Sequence, residues 1–197
     1  RSNLKNKNLL NEKIDRISKT SFRINKIING LRSFSRQADQ DPFEPTSVQL
    51  LIDECLELCK ERFYQNSIEL EISQIPDIKV PMRLIQISQV IINLLNNAFD
   101  AVKNQNIKKV MVNFRVSNEH LFILISDTGA GVPDDLKQKI FEPFFTTKEV
   151  GQGTGLGLSI SRGILLDHQG ELTLLPQEKY TTFQLKLPIK RSQLKTA

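Results

Sequence analysis

The sequence predicts an α+β protein, a two-layer α/β sandwich preceded by a long helix. Three observations predict this class: apolar residues recur at heptad spacing near the N-terminus, later stretches show the apolar face of a packed helix, and alternating strands come in runs. The chain has 197 residues, of which 39% are hydrophobic and 25% charged. This is enough for one sizeable core and an appendage, so a folded chain is expected rather than disorder.

The N-terminal arm, residues 1–41, has the periodicity of a helix that packs against other helices. Its apolar-side positions alternate spacings of four and three: Leu10, Ile14, Ile17, Ser21, Ile24, Ile28 and Leu31. Residues 1–36 carry ten Lys and Arg against two acids, a net charge of +8, whereas the remainder carries 17 against 20, a net charge of −3. A solvated helix face accounts for this charge, and no nucleic-acid binding is expected because no recognition motif accompanies it.

A linker is predicted where Asp41, Pro42 and Pro45 interrupt the helical pattern. It separates the arm at 1–41 from a second domain at 42–197. Beyond it a helix is predicted over "TSVQLLIDECLELCKERF", with Thr46 or Ser47 as its N-cap. The remaining elements are a strand in "SIELEIS", a long helix in "PMRLIQISQVIINLLNNAFDAVKNQ", a hairpin of "KKVMVNFRVS" and "HLFILISD", a helix from Leu158 to about Asp167, and strands in "GELTLL" and "TTFQLKLP".

Cys55 and Cys59 lie four residues apart on a predicted helix, unlike the CxxC pairs of metal or redox sites. We expect both to be small buried hydrophobic residues in a reducing cytosol. No run approaches the about 20 apolar residues of a membrane span, and the N-terminus lacks the apolar region of a signal peptide. A cytoplasmic segment without direct membrane contact is therefore expected, although its parent protein could be membrane-anchored.

The stretch "FEPFFTTKEVGQGTGLGLSIS" carries glycine at every second position from Gly151 to Gly157, directly before a predicted helix. It is neither a GxGxxG turn nor a GxxxxGK[ST] loop. Bare backbone that leads into a helix N-terminus favours an anion, because N–H groups and the helix dipole point at it. A mobile loop without a ligand is the alternative.

Two further segments carry polar groups in apolar surroundings. In "SDTGAGVP", Asp127 ends a strand before Gly129 and Gly131, where its carboxylate could accept a hydrogen bond from an exocyclic amine; a plain turn is the alternative. In "NLLNNAFDA", Asn93 and Asn97 share a helix face, and amide oxygens are suitable Mg²⁺ ligands. A satisfied pair of partly buried amides is the alternative.

The segment "FEPFFTTK" combines three phenylalanines with a polar end. Phe141, Phe144 and Phe145 are predicted to anchor a loop, although three core residues would give the same pattern. The residues that can address phosphate follow them: Thr146, Thr147 and Lys148.

Together, "QVIINLLNNAFDA", "DTGAGVP", "FEPFFTTK" and "GQGTGLGLSIS" resemble the N, G1, F and G2 boxes of sensor histidine kinases, members of the GHKL ATPase superfamily. The resemblance covers residues from about 46 to 189. The arm resembles the second helix of the dimerisation and phosphoacceptor hairpin, which would place it in a homodimeric four-helix bundle. The resemblance implies the GHKL (Bergerat) ATP-binding fold, with ATP and Mg²⁺ as cofactors and a response regulator as partner.

Carried over by position, the resemblance implies that Asn97 ligates Mg²⁺ beside Asn93, that Asp127 binds the adenine amine, and that Thr182 supports the base. Residues 145–151 would form a lid over ATP. The other residues implied in ATP binding are Gly129, Gly131, Thr146, Thr147, Lys148, Gly151, Gly153, Thr154, Gly155, Leu156 and Gly157. Arg83 departs from the family's usual aspartate, which puts the local packing there in question.

The resemblance implies a kinase that phosphorylates a histidine, yet neither His120 nor His168 matches the acceptor position. The family's acceptor lies on the first hairpin helix, which this chain does not include. Three interpretations stay open: a fragment of a longer kinase, a kinase that acts in trans on a separate histidine protein, or a nucleotide-binding regulator without transfer activity.

Overall fold

The computed structural model describes residues 13, 42–148, 153–176 and 179–190. The predicted helical arm and its role in dimerisation lie outside these residues, apart from Lys13. The described helices and strands are β1 (Glu44–Ser47), α1 (Val48–Gln65), β2 (Glu69–Ile72), β3 (Lys79–Met82), α2 (Leu84–Val102), β4 (Lys109–Val116), β5 (His120–Asp127), α3 (Gly157–Asp167), β6 (Glu171–Leu174) and β7 (Thr181–Pro188). Within these ranges, no helix is long and apolar enough to cross a membrane.

Five strands form the main sheet in the order β2-β4-β5-β7-β6. β2 runs parallel to β4, and the other neighbours are antiparallel. The parallel pair differs from the expected run of antiparallel strands, because α2 lies in the connection and supplies the crossover that parallel strands need. α2 packs against β4 and β5 and lies between α1 and α3. This arrangement confirms the predicted two-layer sandwich.

A second sheet of two strands was not predicted. β1 pairs antiparallel with β3, from Glu44 opposite Met82 to Ser47 opposite Lys79. Pro45, which is predicted to interrupt helix, lies directly opposite Pro81, which the predicted long helix included. Proline is tolerated at the edge of so small a sheet, where its missing N–H costs no interior hydrogen bond. The predicted linker beyond Pro42 is therefore a strand, and α2 begins at Leu84.

The core lies between the helices and the main sheet. Its largest fully buried side chains are Phe63, Leu51, Ile52, Met82, Ile87, Ile91, Leu94, Leu95, Leu121, Ile123, Ile125 and Leu165. Cys55 and Cys59 are buried and free, as predicted. Burial raises the pKa of the Cys55 thiol to about 12, which keeps it protonated and unreactive.

The start of α1 differs in detail from the predicted cap. Ser47 is the N-cap residue, but its side chain makes no capping hydrogen bond. The Thr46 hydroxyl instead donates to the Glu44 carbonyl at 3.0 Å. The Val48 N–H donates to the Ile78 carbonyl, so the chain before β3 satisfies the first turn of the helix.

His168 connects the end of α3 to the start of α2. Its Nδ1 lies 2.7 Å from the Ile164 carbonyl, which can only accept, so Nδ1 carries the proton. The Arg83 N–H then donates to Nε2 at 3.1 Å. The Phe43 and His168 rings pack with their centroids 4.8 Å apart, and the Arg83 guanidinium lies over the same Phe43 ring, 4.7 Å from its centroid. Arg83 is thus accommodated by packing near the linker.

We expect His168→Ala to lower the free energy of unfolding by about 2 kcal/mol, because the buried Arg83 N–H loses its acceptor and a ring-sized space opens. The midpoint of urea unfolding measures this change. His120→Ala, at the β4–β5 turn, is the matched control and should change stability by no more than about 0.5 kcal/mol. Equal effects of the two substitutions would contradict the bridging role of His168.

Candidate nucleotide-binding site

The predicted site residues come from five segments of the chain, the fifth being β7, which carries Thr182. Asn93 and Asn97 lie on α2, and Asp127 ends β5. The loop up to Lys148 follows two short 3-10 turns, Asp134–Leu136 and Lys139–Phe141, and the glycine segment leads into α3. Gly151 lies outside the described residues, as does the part of the predicted lid after Lys148.

Asp127 is a buried carboxylate with a turn folded around it. It is 4% exposed, and its Oδ1 accepts the Gly129 N–H at 2.8 Å. Burial raises the pKa of Asp127 from its ordinary 3.8 to about 6, although the hydrogen bonds from the Gly129 N–H and the Thr181 side chain oppose the rise. A Cβ on Gly129 would lie 2.7 Å from this oxygen and 2.8 Å from the Ala101 Cβ. Glycine therefore lets the turn approach both α2 and the carboxylate.

Thr182 supports the strand that ends in Asp127. It pairs in register with Ser126, and their hydroxyl oxygens lie 2.9 Å apart. The Thr182 hydroxyl donates to the Tyr180 carbonyl at 3.2 Å, so Ser126 is the donor in the first bond. Thr182 is 2% exposed, and its hydroxyl is already engaged in both bonds. Ser126 was not predicted, although a polar residue in the apolar run "HLFILISD" was a signal.

Asn93 holds α2 against the first turns of α3. Its Nδ2 donates to the Oγ of Ser161 at 3.0 Å, and Ser161 is 1% exposed. A Cβ on Gly157 would lie closer than 3.0 Å to the Oδ1 and Cγ of Asn93. Gly157 is also the first residue of α3, one position before the predicted start. Sequence reasoning missed Ser161, because its importance depends on a partner on another helix.

The Lys148 side chain extends from the loop to the C-terminal turns of α2. Its Nζ lies 2.6 Å from Oδ2 of Asp100 and donates at 3.4 Å to Oδ1 of Asn97, the predicted metal ligand. Asp100 also pairs with Lys103 at 3.1 Å and with Arg62 at 3.8 Å. Burial would raise the pKa of Asp100, but the hydrogen bonds and charges of Lys148 and Lys103 outweigh it and lower the pKa. Asp100 was not predicted, although it follows Asn97 by three residues on the same helix face.

The glycines and threonines shape the loop itself. A Cβ on Gly153 would lie 2.7 Å from Oγ1 of Thr146, which accepts the Lys148 N–H at 3.2 Å. Oγ1 of Thr154 accepts the Leu156 N–H at 3.3 Å, and the Leu156 side chain is buried. Thr147 is exposed. Leu156 can therefore contribute to a site only through its backbone.

Two glycines and one phenylalanine in these loops have a left-handed backbone. Gly155 has φ +68°, and a Cβ there would lie closer than 3.0 Å to Cα, C and O of Phe144. Gly131 has φ +86° with open space around it. Phe144 itself has φ 68°. It is also 64% exposed, so the prediction that it anchors the loop is wrong. Phe141 does pack, edge-on to Phe183 with ring centroids 6.4 Å apart.

Comparison with protein families matches residues 82–191 to the family described as "Histidine kinase-, DNA gyrase B-, and HSP90-like ATPase". The chain belongs to this family. This match confirms the resemblance of the four boxes to the ATP-binding domain of the GHKL ATPases.

The curated relatives of this ATPase domain include two-component sensors. "Two-component sensor PprA" of Pseudomonas aeruginosa is 34% identical over 91% of this chain and 20% of its own length. "Signal transduction histidine-protein kinase AtoS" of Escherichia coli K12 is 34% identical over 84% of this chain and 27% of its own. The chain thus spans only a fifth to about a quarter of these relatives.

Solved structures show the same fold. The catalytic domain of histidine kinase ThkA matches with a TM-score of 0.65 at 34% identity, covering 75% of this chain and 95% of that one. The structure of "histidine kinase ThkA (TM1359) in complex with response regulator protein TrrA (TM1360)" matches with a TM-score of 0.73 at 27% identity, covering 92% and 52%.

The donor set of this ATPase site limits how it could hold a metal. Among the described residues, no group of three or more His, Cys, Asp or Glu could hold an ion by itself. Oδ1 of Asn97 nevertheless faces a cation already, the Lys148 ammonium. An oxygen that attracts an ammonium is a suitable ligand for Mg²⁺, which in such sites takes one or two protein oxygens together with substrate phosphates and waters.

Proposed function

We propose that this chain is the ATP-binding catalytic part of a protein histidine kinase. It would transfer the γ-phosphoryl of Mg·ATP to a histidine outside this chain, for relay to an aspartate of a response regulator. The observation that carries the proposal is the convergence of a buried carboxylate, Asp127, with the Asn93–Asn97 face of α2 and the Lys148 loop. The Asp127 end of such a site suits an adenine base, and the end at Asn97 and Lys148 suits a triphosphate.

The base end is built around Asp127. Its pKa of about 6 leaves the carboxylate ionised at neutral pH, so it can accept a hydrogen bond from the adenine amine. The Gly129 N–H holds the carboxylate in place, and the Ser126–Thr182 hydrogen bond keeps β5 and β7 in register beside it. The proposed base-binding residues are thus oriented before nucleotide arrives.

The phosphate end combines Asn97, Lys148 and the start of α3. Asn97 would hold Mg²⁺, which, when bound, neutralises the charge that spreads over the phosphate oxygens during transfer. Lys148 supplies a second positive charge on the loop. The first turn of α3 has N–H groups that no earlier turn of the helix can pair, and these favour a phosphate. Gly157 lets Asn93 lie directly against this turn. These groups would position and neutralise the phosphates, while the attacking nucleophile would be the nitrogen of the acceptor histidine, with ADP as the leaving group.

The acceptor histidine is proposed to lie outside this chain. His168 is buried, with Nδ1 bonded to the Ile164 carbonyl and Nε2 to the Arg83 N–H. A phosphoryl group could not reach either nitrogen without unfolding the link between α2 and α3. His120 is the first residue of β5, directly after the β4–β5 turn.

The partners are proposed by analogy with the family. The ThkA structure contains a response regulator protein, and we infer that a receiver domain is the partner here. The heptad-spaced arm supports a homodimer. The net charge of −3 beyond residue 36 and the lack of a nucleic-acid motif support a role without nucleic acid.

Labelling of the complete gene product with γ-labelled ATP and Mg²⁺ tests the proposal. Label that survives base and is lost in acid identifies phosphohistidine. We expect Asn97→Asp to lower this labelling by about 100-fold, because the added carboxylate binds Lys148 more tightly and repels the phosphates.

Asn113→Asp is the matched control for this substitution, since Asn113 is exposed on β4. It should leave labelling unchanged. Unaltered labelling of the Asn97→Asp protein would contradict the site assignment. ATP binding without any label would instead favour a trans-acting kinase or a non-catalytic regulator.

A further inference from the structure

Asp100 is surrounded by cations, although the proposed nucleotide site gives this residue no role. Three cations surround its carboxylate: Lys148 at 2.6 Å, Lys103 at 3.1 Å and Arg62 at 3.8 Å. Lys103 lies on the following turn and Arg62 on α1, and Arg62 is further fixed over the Phe99 ring at 3.8 Å and by Asn96 at 2.7 Å. Only Lys148 comes from the loop. Asp100 therefore joins the loop to two helices.

The Lys148 ammonium cannot pair fully with the Asp100 carboxylate and with a triphosphate at the same time. In the structure its ammonium is taken up by the Asp100 carboxylate and the Asn97 amide oxygen. The proposed metal would compete with the ammonium for the same Asn97 oxygen, and the phosphates would compete with Asp100 for the ammonium. Release of Lys148 would not leave the Asp100 carboxylate without a cationic partner, because Lys103 and Arg62 remain beside it. A partly exposed pair of this kind is weak enough to exchange.

We propose that Asp100 is a latch residue: it holds Lys148 and the loop on α2 in the nucleotide-free protein, and Mg·ATP must take Lys148 from it. The latch rests on the proposed function, since it assumes that nucleotide phosphates are the rival partner of Lys148. Asp100 thereby sets the nucleotide concentration at which the loop leaves α2. It acts through Lys148 and is a positioning residue.

A double-mutant cycle on the full chain tests the latch, with equilibrium binding of a fluorescent ATP analogue in the presence of Mg²⁺ as the readout. We expect Asp100→Asn to tighten binding by about threefold to fivefold, the equivalent of one partly exposed ion pair. Lys148→Met, which keeps the apolar stem, should weaken binding. In the Lys148→Met background, Asp100→Asn should have no further effect, because the competition it relieves is gone.

Asp134→Asn is the matched control, because Asp134 also pairs with a lysine at 2.6 Å, namely Lys137, and its side chain is 93% exposed. It should leave the affinity unchanged. Thermal unfolding checks each variant, and Asp100→Ser takes the place of Asp100→Asn if the latter does not fold.

Three results would overturn the latch. Weaker binding of the Asp100→Asn protein would mean that Asp100 serves the nucleotide or its metal directly. Equal tightening with and without Lys148 would mean simple repulsion between Asp100 and phosphate. An unchanged affinity in both backgrounds would mean that Asp100 and nucleotide binding are not coupled. These results leave the proposed function standing, whereas failure of the unsubstituted chain to bind the analogue would overturn both.

Discussion

Alanine at position 155 is expected to abolish nucleotide binding and to lower the free energy of unfolding by about 3 kcal/mol. Gly155 has φ +68°, which an alanine adopts only with strain. The new Cβ would also press on the backbone of Phe144, which cannot rotate away as a flexible side chain could. The loop that carries Lys148 would therefore be displaced from the start of α3.

Gly131→Ala separates the two causes. Gly131 has φ +86° but open space around it, so alanine there pays the conformational cost of about 1 kcal/mol without a collision. Chemical unfolding and nucleotide titration of both variants measure the difference. If Gly155→Ala behaves like Gly131→Ala, the contact between Gly155 and Phe144 is unimportant and the proposed packing of the two loops is wrong.

Asp127→Asn should act in opposite directions on binding and on stability. Nucleotide affinity is expected to fall by about 100-fold, because the amide group replaces an ionised acceptor with a donor that faces the adenine amine. The free energy of unfolding at pH 8 is expected to rise by about 2 kcal/mol, because the buried charge is removed.

The sign of the pH dependence follows from the pKa of Asp127. In the folded protein it is raised from 3.8 to about 6 by burial, so protonation favours the folded state. This stabilisation is fully present below about pH 4 and is lost as pH rises through about 6. The advantage of Asp127→Asn over the unsubstituted chain should therefore be largest at pH 8 and disappear near pH 4.

Urea unfolding of both proteins across this pH range is the measurement. Asp134→Asn serves as the control here too, because Asp134 is exposed and paired with Lys137, which lowers its pKa. A stability difference between Asp127→Asn and the unsubstituted chain that does not change with pH would contradict the raised pKa of Asp127.

Local pattern was enough to predict most of the fold. The hairpin of β4 and β5, the apolar face of α2 and the two last strands all follow from periodicity over about ten residues, which a single segment contains. The four boxes predicted the site, because each places its polar residue at a helix face, a strand end or a helix start. The roles of individual site residues stay predictions.

Contacts between segments far apart in the chain could not be predicted from local sequence patterns. The β1–β3 pair joins residues 44–47 to 79–82. Pro45 was read as part of a linker and Pro81 as part of the long helix, so neither strand was predicted. Asp100 and Ser161 matter only through Lys148 and Asn93, which come from other segments. Phe144 could not be told from a core phenylalanine, because exposure depends on the backbone turn at φ 68° and not on residue type.

The small β1–β3 sheet and α1 have a consequence for how this module can be recombined with other proteins. Both β1 and α1 precede residue 82, where the family match begins, yet α1 contributes Leu51, Ile52 and Phe63 to the fully buried core. A graft joined at residue 82 would leave the apolar side of α2 uncovered and prone to aggregation. A graft therefore has to include β1 and α1, so the junction of a chimeric protein belongs upstream of Glu44, where β1 begins.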